Sequence, residues 1–180
     1  MFAQCMTAEA RLMGDRPFSR TRRVLLIEDN PIDVMMAEEA FKEGAVDTIV
    51  SVVRDGTEAP DYLRQRGKFT DACLPDFILL DLNLPKKDGR QVLAEIKADP
   101  VLKSIPVAVL SGSSDEEDVR ACYDQHANCY IVKPSRLEDY IRTISALDRF
   151  WFDLVILPGT SSACDGYATH TRDGDRSGEC

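Results

Sequence analysis

The sequence predicts an α/β fold, a doubly wound five-stranded parallel sheet. Five short apolar runs recur along the chain, and each is followed by a segment with helical spacing of its apolar residues. The runs are almost continuously apolar, which is typical of strands buried on both faces. Because strands alternate with helices, the connections are right-handed crossovers and the helices cover both faces of the sheet.

The five predicted strands are short and bounded by residues that favour turns. Phe77–Asp81 is the central one, because four hydrophobic residues stand between Pro75-Asp76 and Asn83 and the run ends in a carboxylate. The other predicted strands are Val24–Ile27, Ile49–Val53, Pro106–Leu110 and Cys129–Val132.

The five predicted helices carry start and stop signals. The first begins at Pro31 and stops at Gly44, with an apolar face of Ile32, Met35, Met36 and Ala40. The second is capped by Thr57 and runs to Arg66. The remaining helices span Arg90–Ala98, Asp115–Gln125 and Arg136–Phe152.

The last helix is apolar on more than one side. We expect Leu137 and Ile141 to face the core and a neighbouring stripe of apolar residues to need a second cover. That stripe consists of Tyr140, Ile144, Leu147 and Trp151. It predicts a homodimer formed through the fourth and fifth helices.

The length of 180 residues allows one domain with tails. We expect a flexible extension over 1–21, the folded domain over 22–158, and a disordered tail over 159–180, which is rich in Gly, Ser, Thr and Asp.

The charge and the cysteine content limit the binding partners and the cellular compartment that we expect for this protein. A net charge of −9 without a basic stripe argues against nucleic acid. The amino terminus resembles neither a signal peptide nor a membrane span, so no membrane partner is expected. The six cysteines show no CxxC and no metal-ligand spacing, and because no secretory signal is recognised, we expect reduced thiols and a cytoplasmic protein.

Chemically active residues follow four of the strands. These are Glu28-Asp29, Asp81, Ser111 and Lys133, with even separations of 81 − 29 = 52 and 133 − 81 = 52 residues. Since parallel strands end at one edge of a sheet, where ligands bind in such folds, we expect the four positions to converge. Taken alone, Asp81 fits a residue that caps the next turn equally well; the joint placement favours a site.

Three carboxylates at one edge repel one another. Two unit charges 4 Å apart cost about 4 kcal/mol at an effective dielectric constant near 20. A hard divalent cation with oxygen ligands is the expected remedy, and Mg²⁺ combines one or two carboxylates with retained waters. With Lys133 as a further cation, the residues predict a phosphoryl-transfer site with a carboxylate nucleophile.

The motifs resemble the receiver domain of two-component response regulators, a CheY-like and flavodoxin-like fold. The resemblance covers about 22–158 and rests on Ile27-Glu28-Asp29-Asn30, Leu80-Asp81 with Asp88-Gly89, Ser111 and Lys133-Pro134. The sequences of the segments 85–90, 127–131 and 150–158 are similar to those of single-domain receivers that are paired with bacterial phytochrome-type sensor kinases.

The resemblance implies a metal site and a phosphoacceptor. Asp81 would accept a phosphoryl group from a phosphohistidine of a sensor histidine kinase. Asp29, Asp81 and the main-chain carbonyl of Asn83 would ligate Mg²⁺, with Glu28 acting through a metal-bound water.

The resemblance also implies a switch. Lys133 would pair with a phosphoryl oxygen, and Ser111 would hydrogen-bond the phosphoryl group. Tyr130 matches an aromatic switch position, and Lys133-Pro134 matches a peptide bond that is usually cis. Beyond phosphotransfer and autodephosphorylation, no enzyme activity is expected.

Three other functions fit less well. A flavodoxin-like cofactor binder needs a loop after the first strand that accepts phosphate, and Glu28-Asp29 would repel it. A phosphatase of the haloacid dehalogenase type needs a second Asp where Asn83 stands. A docking-only module that has lost phosphorylation is the strongest alternative, and the intact Asp81 and Lys133 count against it.

Overall fold

The computed structural model describes residues 21–44 and 46–158 of the chain. The expected amino-terminal extension, apart from Thr21, and the expected tail at 159–180 lie outside these residues. The elements alternate along the chain as predicted. They are β1 (Arg22–Ile27), α1 (Pro31–Lys42), β2 (Thr48–Val53), α2 (Glu58–Leu63), β3 (Phe77–Leu80), α3 (Gly89–Ala98), β4 (Val107–Ser111), α4 (Glu116–Asp124), β5 (Cys129–Val132) and α5 (Leu137–Asp148).

The five strands form one parallel sheet in the order β2-β1-β3-β4-β5. The order reverses between β1 and β3, which is where ligands bind in doubly wound sheets. Alternate strand residues face two separate apolar layers. Leu25, Ile78 and Val109 pack toward α2, α3 and α4, whereas Val24, Leu79 and Leu110 pack toward α1 and α5.

The buried face of α1 differs from the predicted one. Its core residues are Val34, Ala37, Ala40 and Phe41. Ile32 and Met35 are 60% and 63% exposed, so that part of the prediction is wrong. The buried face therefore combines the small Ala37 and Ala40 with Val34 and Phe41, whereas Ile32 and Met35 lie on the outward side of the helix.

The prediction for α5 fails for the stripe that was to need a second cover and for Leu137, whereas Ile141 is half-buried against the core as predicted. Tyr140, Ile144, Leu147 and Trp151 are all buried in the layer beneath α1 and α5. Trp151 packs against Phe77, with ring centroids 5.3 Å apart. Leu137 is instead 56% exposed. The stripe that predicted a dimer is therefore core and offers no surface to a second copy.

Smaller differences concern helix ends. Thr57 stands at the N-cap of α2, as predicted, but its side chain makes no cap hydrogen bond. The Asp55 carboxylate instead accepts hydrogen bonds from the backbone N–H of Thr57 and of Glu58. The helix ends at Leu63, and a short 3₁₀ turn follows at Gly67–Phe69. The last helix ends at Asp148, and a π-helical turn continues over Arg149–Leu154.

Asp148 is an acid inside the α1/α5 layer. Its carboxylate is 1% exposed, and Oδ1 has no hydrogen-bond partner among the described residues. Burial, with a contribution from the charge of Asp153, raises the pKa of Asp148 to about 6. A Cβ atom added at Gly44 would lie 2.7 Å from Asp148 Oδ2, so the end of α1 closes over this carboxyl.

Two further expectations fail. The described residues contain no cis peptide bond, so Lys133-Pro134 is trans, the intrinsically favoured form. Cys122 and Cys129 are free thiols, but Cys73, half-buried in the loop before β3, is disulfide-bonded, so reduced thiols are not found throughout. In the described part of the chain no helix has the length and apolarity to cross a membrane.

Candidate functional site

Glu28 lies one residue past β1, between the ends of β2 and β3. Its backbone N–H donates to Val53 O at 3.0 Å, which extends the pairing with β2. The side chain is 1% exposed, and its Oε1 accepts from the backbone N–H of Asn30 at 3.1 Å. Burial raises the pKa of Glu28 to about 7, although Lys133 acts in the opposite direction.

Asp81 follows β3, the central strand. Its backbone N–H donates to Ile27 O at 2.9 Å, which extends the pairing with β1. The side chain is 6% exposed, and Oδ1 accepts from the backbone N–H of Asn83 at 3.1 Å. Gly89 lies so close that an added Cβ would be 2.2 Å from Asp81 O. The start of α3 therefore requires glycine, and it packs directly against the backbone of Asp81.

Lys133 crosses the site from β5. Its backbone N–H donates to Ser111 O at 2.7 Å, and its Nζ donates to three carboxylates. The distances are 2.6 Å to Glu28 Oε2, 2.8 Å to Asp33 Oδ2 and 2.8 Å to Asp81 Oδ2. Burial opposes the ammonium charge, but these three hydrogen bonds outweigh it and raise the pKa of Lys133.

Three acids meet beside this lysine. Glu28, Asp29 and Asp81 each offer a carboxylate oxygen, and these oxygens lie within 4.8 Å of one another. Two are buried and Asp29 is exposed. Three oxygen donors at this spacing, one open to solvent, fit a hard divalent cation that keeps part of its water shell. The chemistry of the donor set therefore agrees with the predicted metal site.

Ser111 and Tyr130 lie on the β4 side of the site. Ser111 is buried at the end of β4, and its Oγ accepts from the backbone N–H of Ser113 at 3.2 Å. The half-buried Tyr130 reaches the β4–α4 loop, where its hydroxyl donates to Ser113 O at 3.0 Å. The structure thus brings Glu28, Asp29, Asp81 and Lys133 together, whereas the hydrogen bond of the Tyr130 side chain goes to the β4–α4 loop.

Two groups of functional interest were not predicted. Asp33, in the first turn of α1, is the third carboxylate that binds Lys133. It lies one helical turn past Glu28-Asp29, and this spacing could have predicted that its side chain lies near the site. A second group joins α3 to the β4–α4 loop: Arg90 Nη2 lies 2.5 Å from Asp118 Oδ1, and Ser113 Oγ donates to Asp118 Oδ2 at 2.7 Å. That pairing spans 28 residues and left no pattern in the sequence.

Comparison with known proteins defines the class. Residues 24–145 match the response regulator receiver domain, so the chain belongs to this family. Over 135 residues it is 45% identical to the response regulator Rcp1 of Synechocystis, covering 75% of this chain and 92% of Rcp1.

Solved structures agree with the class. The phosphorylated cyanobacterial phytochrome response regulator RcpA is similar with a TM-score of 0.76 and 48% identity, over 78% of this chain and 100% of RcpA. The Mn²⁺-bound form of Rcp1 is similar with a TM-score of 0.74 and 44% identity, over 77% of this chain and 99% of that one. The predicted resemblance and the predicted fold class are both confirmed.

Proposed function

We propose that this chain is a cytoplasmic, single-domain response regulator whose Asp81 accepts a phosphoryl group from a sensor histidine kinase in a Mg²⁺-dependent reaction. The observation that carries the proposal is the 2.8 Å contact between Lys133 Nζ and Asp81 Oδ2, beside three acids that can hold a cation. Relatives with phosphorylated and Mn²⁺-bound structures support it.

In the proposed transfer, a carboxylate oxygen of Asp81 attacks the phosphorus of a phosphohistidine. A P–O bond forms, the P–N bond breaks, and the imidazole leaves. Lys133, already in contact with Asp81 Oδ2, pairs with a phosphoryl oxygen and offsets the developing charge. Ser111, at the neighbouring strand end, donates its hydroxyl to the phosphoryl group.

The acids that follow β1 and β3 would hold the cation. Asp29 and Asp81 would supply carboxylate oxygens, Asn83 its main-chain carbonyl, and Glu28 would act through a bound water. A bound cation would supply positive charge to the phosphoryl oxygens. The backbone N–H of Asn83 already donates to Asp81 Oδ1 at 3.1 Å, which places this peptide beside the acceptor.

Tyr130 is the proposed relay. A phosphoryl group of roughly −2 charge draws Ser111 toward Asp81 and moves the β4–α4 loop. The Tyr130 hydroxyl holds Ser113 of that loop at 3.0 Å, so its ring position follows the loop. If Tyr130→Ala left phosphorylation-dependent assembly unchanged, this relay would be wrong.

A groove beside Lys133 is the proposed contact for the kinase. A phytochrome-type kinase is the proposed partner, because the chain is similar to a phytochrome response regulator. The groove has a volume of about 470 Å³ and lies between α1 and the start of α5. Exposed Ile32, Met35 and Leu137 line it together with Asp33, which is bonded to Lys133. An apolar surface this close to the acceptor suits a protein donor. Met35→Lys is expected to slow transfer from the kinase more than transfer from a small phosphodonor.

Self-association is proposed through a different surface from the buried stripe of α5. Tyr123, Val132 and Phe150 are between 45% and 49% exposed along α4, β5 and the turn after α5. The proposed dimer buries these side chains, and phosphorylation shifts its population. Light scattering before and after phosphorylation measures the shift, and Phe150→Glu is expected to abolish it.

The central experiment is incubation with Mg²⁺ and acetyl phosphate, followed by a phosphate-affinity gel. Wild type is expected to give a retarded band that is absent in Asp81→Asn and in the presence of EDTA. If wild type gave no such band with acetyl phosphate or with a kinase, the chain would be a docking-only module.

A further inference from the structure

Asp33 is the one partner of Lys133 that stands outside the acid triad. It is the third residue of α1, and its largely buried carboxylate accepts from Lys133 Nζ at 2.8 Å. The Tyr140 hydroxyl donates to the backbone oxygen of Asp33 at 3.4 Å, so α5 supports this turn. Helix capping does not account for the carboxylate, because Asn30 makes the cap bond to the N–H of Ile32.

All three N–H groups of the Lys133 ammonium donate hydrogen bonds. Lys133 has three N–H donors, and Glu28, Asp33 and Asp81 accept one each. Two of these acceptors also belong to the group of three that can hold a cation. A divalent cation and the lysine therefore compete for the same two carboxylates.

Competition of this kind has a cost that depends on where the ammonium goes. If the lysine lost both Glu28 and Asp81 without another partner, a buried cation would give up its charge-assisted hydrogen bonds. Asp33 stays available, since it offers no oxygen to the cation group in the described part of the chain. The ammonium then keeps one short bond in place.

The geometry points to Asp33 as a positioning residue that retains the Lys133 ammonium when a divalent cation and its bound water engage Asp81 and Glu28, and that thereby strengthens cation binding. This inference rests on the proposed function, because it concerns the cation of the same site. Asp33 acts through Lys133 and touches no reacting atom itself.

The test measures the Kd of Mg²⁺ by titration calorimetry. Asp33→Asn is expected to raise it about tenfold, which corresponds to about 1.4 kcal/mol. Asp33→Glu, which keeps the charge, is expected to recover most of the affinity. Glu38→Gln removes a charge from the same helix away from Lys133 and is expected to change the Kd less than twofold.

A double-mutant cycle separates the action through the lysine from direct charge attraction. Lys133→Met removes the competitor and is expected to lower the Kd. In that background, Asp33→Asn is expected to change it by less than twofold. An equal rise in both backgrounds would show plain charge attraction and overturn the inference, as would an unchanged Kd in Asp33→Asn alone.

The outcome is distinguishable from failure of the proposed function. If wild type bound no Mg²⁺ and gave no phosphorylated band, the proposed function would fail. If wild type bound Mg²⁺ and became phosphorylated while Asp33→Asn bound it equally well, only the role of Asp33 would be lost. Circular dichroism of each variant checks the fold, and Asp33→Glu supplies a second substitution at the same position.

Discussion

Replacing Lys133 by methionine tests the charge balance of the site most directly. The substitution keeps an unbranched side chain of similar length and removes the only cation that touches Glu28, Asp33 and Asp81 among the described residues. The carboxylates of Glu28 and Asp81 would then face each other without compensation. Both are almost fully buried.

The magnitude follows from their spacing. Oxygens of Glu28 and Asp81 lie within 4.8 Å, so one pair of charges costs at least about 3.5 kcal/mol at an effective dielectric constant of 20. Removing one partner of a buried ion pair costs a similar free energy, roughly 3–5 kcal/mol. We expect Lys133→Met to lose about 3 kcal/mol of unfolding free energy near pH 8, or roughly 10 °C in Tm.

The loss of unfolding free energy in Lys133→Met depends on pH because Glu28 titrates. Its pKa in the fold, about 7, lies above the ordinary value of 4.5, so the folded state is penalised for the ionised form. That penalty is full above about 7 and decreases as the pH falls toward 4.5, because the folded state binds the proton first. The difference in Tm between wild type and Lys133→Met is therefore expected to be smaller near pH 6 than near pH 8.

Thermal unfolding followed by circular dichroism, with EDTA or with Mg²⁺, is the assay. Mg²⁺ is expected to raise the Tm of Lys133→Met more than that of wild type, because the cation replaces the missing ammonium. Lys42→Met is the matched control, since Lys42 pairs with Glu39 at 3.4 Å and both side chains are exposed; it is expected to change Tm little and without dependence on Mg²⁺. A wild-type Tm for Lys133→Met in EDTA near pH 8 would refute the reasoning.

Three further outcomes are expected. Gly89→Ala places a Cβ 2.2 Å from the backbone oxygen of Asp81 and is expected to lower Tm and slow phosphorylation, whereas Gly112→Ala, with open space around its Cβ, is expected to leave Tm nearly unchanged. Asp118→Asn removes the charge that ties the β4–α4 loop to α3, and faster amide hydrogen exchange in that loop is the expected result; unchanged exchange would contradict the tie. Asp148→Asn is expected to stabilise the protein near pH 8 by at most about 3 kcal/mol, from 6 − 3.8 = 2.2 pKa units, and by less as the pH falls toward 4, and urea unfolding at both pH values measures this change.

The fold and the meeting of the acids with Lys133 were predictable because both follow from strand ends. Continuous apolar runs identify buried parallel strands, and the topology then brings their carboxyl ends to one edge. Neither step needs knowledge of side-chain packing. The 52-residue spacing of Asp29, Asp81 and Lys133 reflects two βα units each, and the contact between Asp81 and Lys133 is the result.

The helix faces were not predictable for a physical reason. On α1 the small residues Ala37 and Ala40 face the sheet, whereas Ile32 and Met35, which carry the larger apolar signal, face outward. Periodicity weighs side chains by hydrophobicity, but close packing selects by shape. On α5 both stripes were apolar, so the sequence could not tell which one faces the sheet.

The burial of Asp33 and Asp148 was equally hidden. Both are acids in helices, a setting that usually means an exposed face. Asp33 is half-buried and bonded to Lys133, which lies 100 residues away just after β5, and Asp148 is covered by Gly44 in the turn after α1. The spacing after Glu28-Asp29 could have placed Asp33 near the site, but its contact with Lys133 and the burial of Asp148 come from packing between distant segments.

Charge counting links these residues to the order of events in the proposed reaction. Glu28, Asp29, Asp33 and Asp81 against Lys133 give −4 + 1 = −3 when all are ionised. A divalent cation brings the site to about −1, and a phosphoryl group of about −2 in place of the Asp81 carboxylate returns it to about −2. Without the cation the phosphorylated site would reach about −4 in a largely buried pocket. In the proposed reaction we therefore expect cation binding to precede transfer, and the Kd of Mg²⁺, which Asp33 is inferred to lower, would then determine the Mg²⁺ concentration at which Asp81 can accept the phosphoryl group.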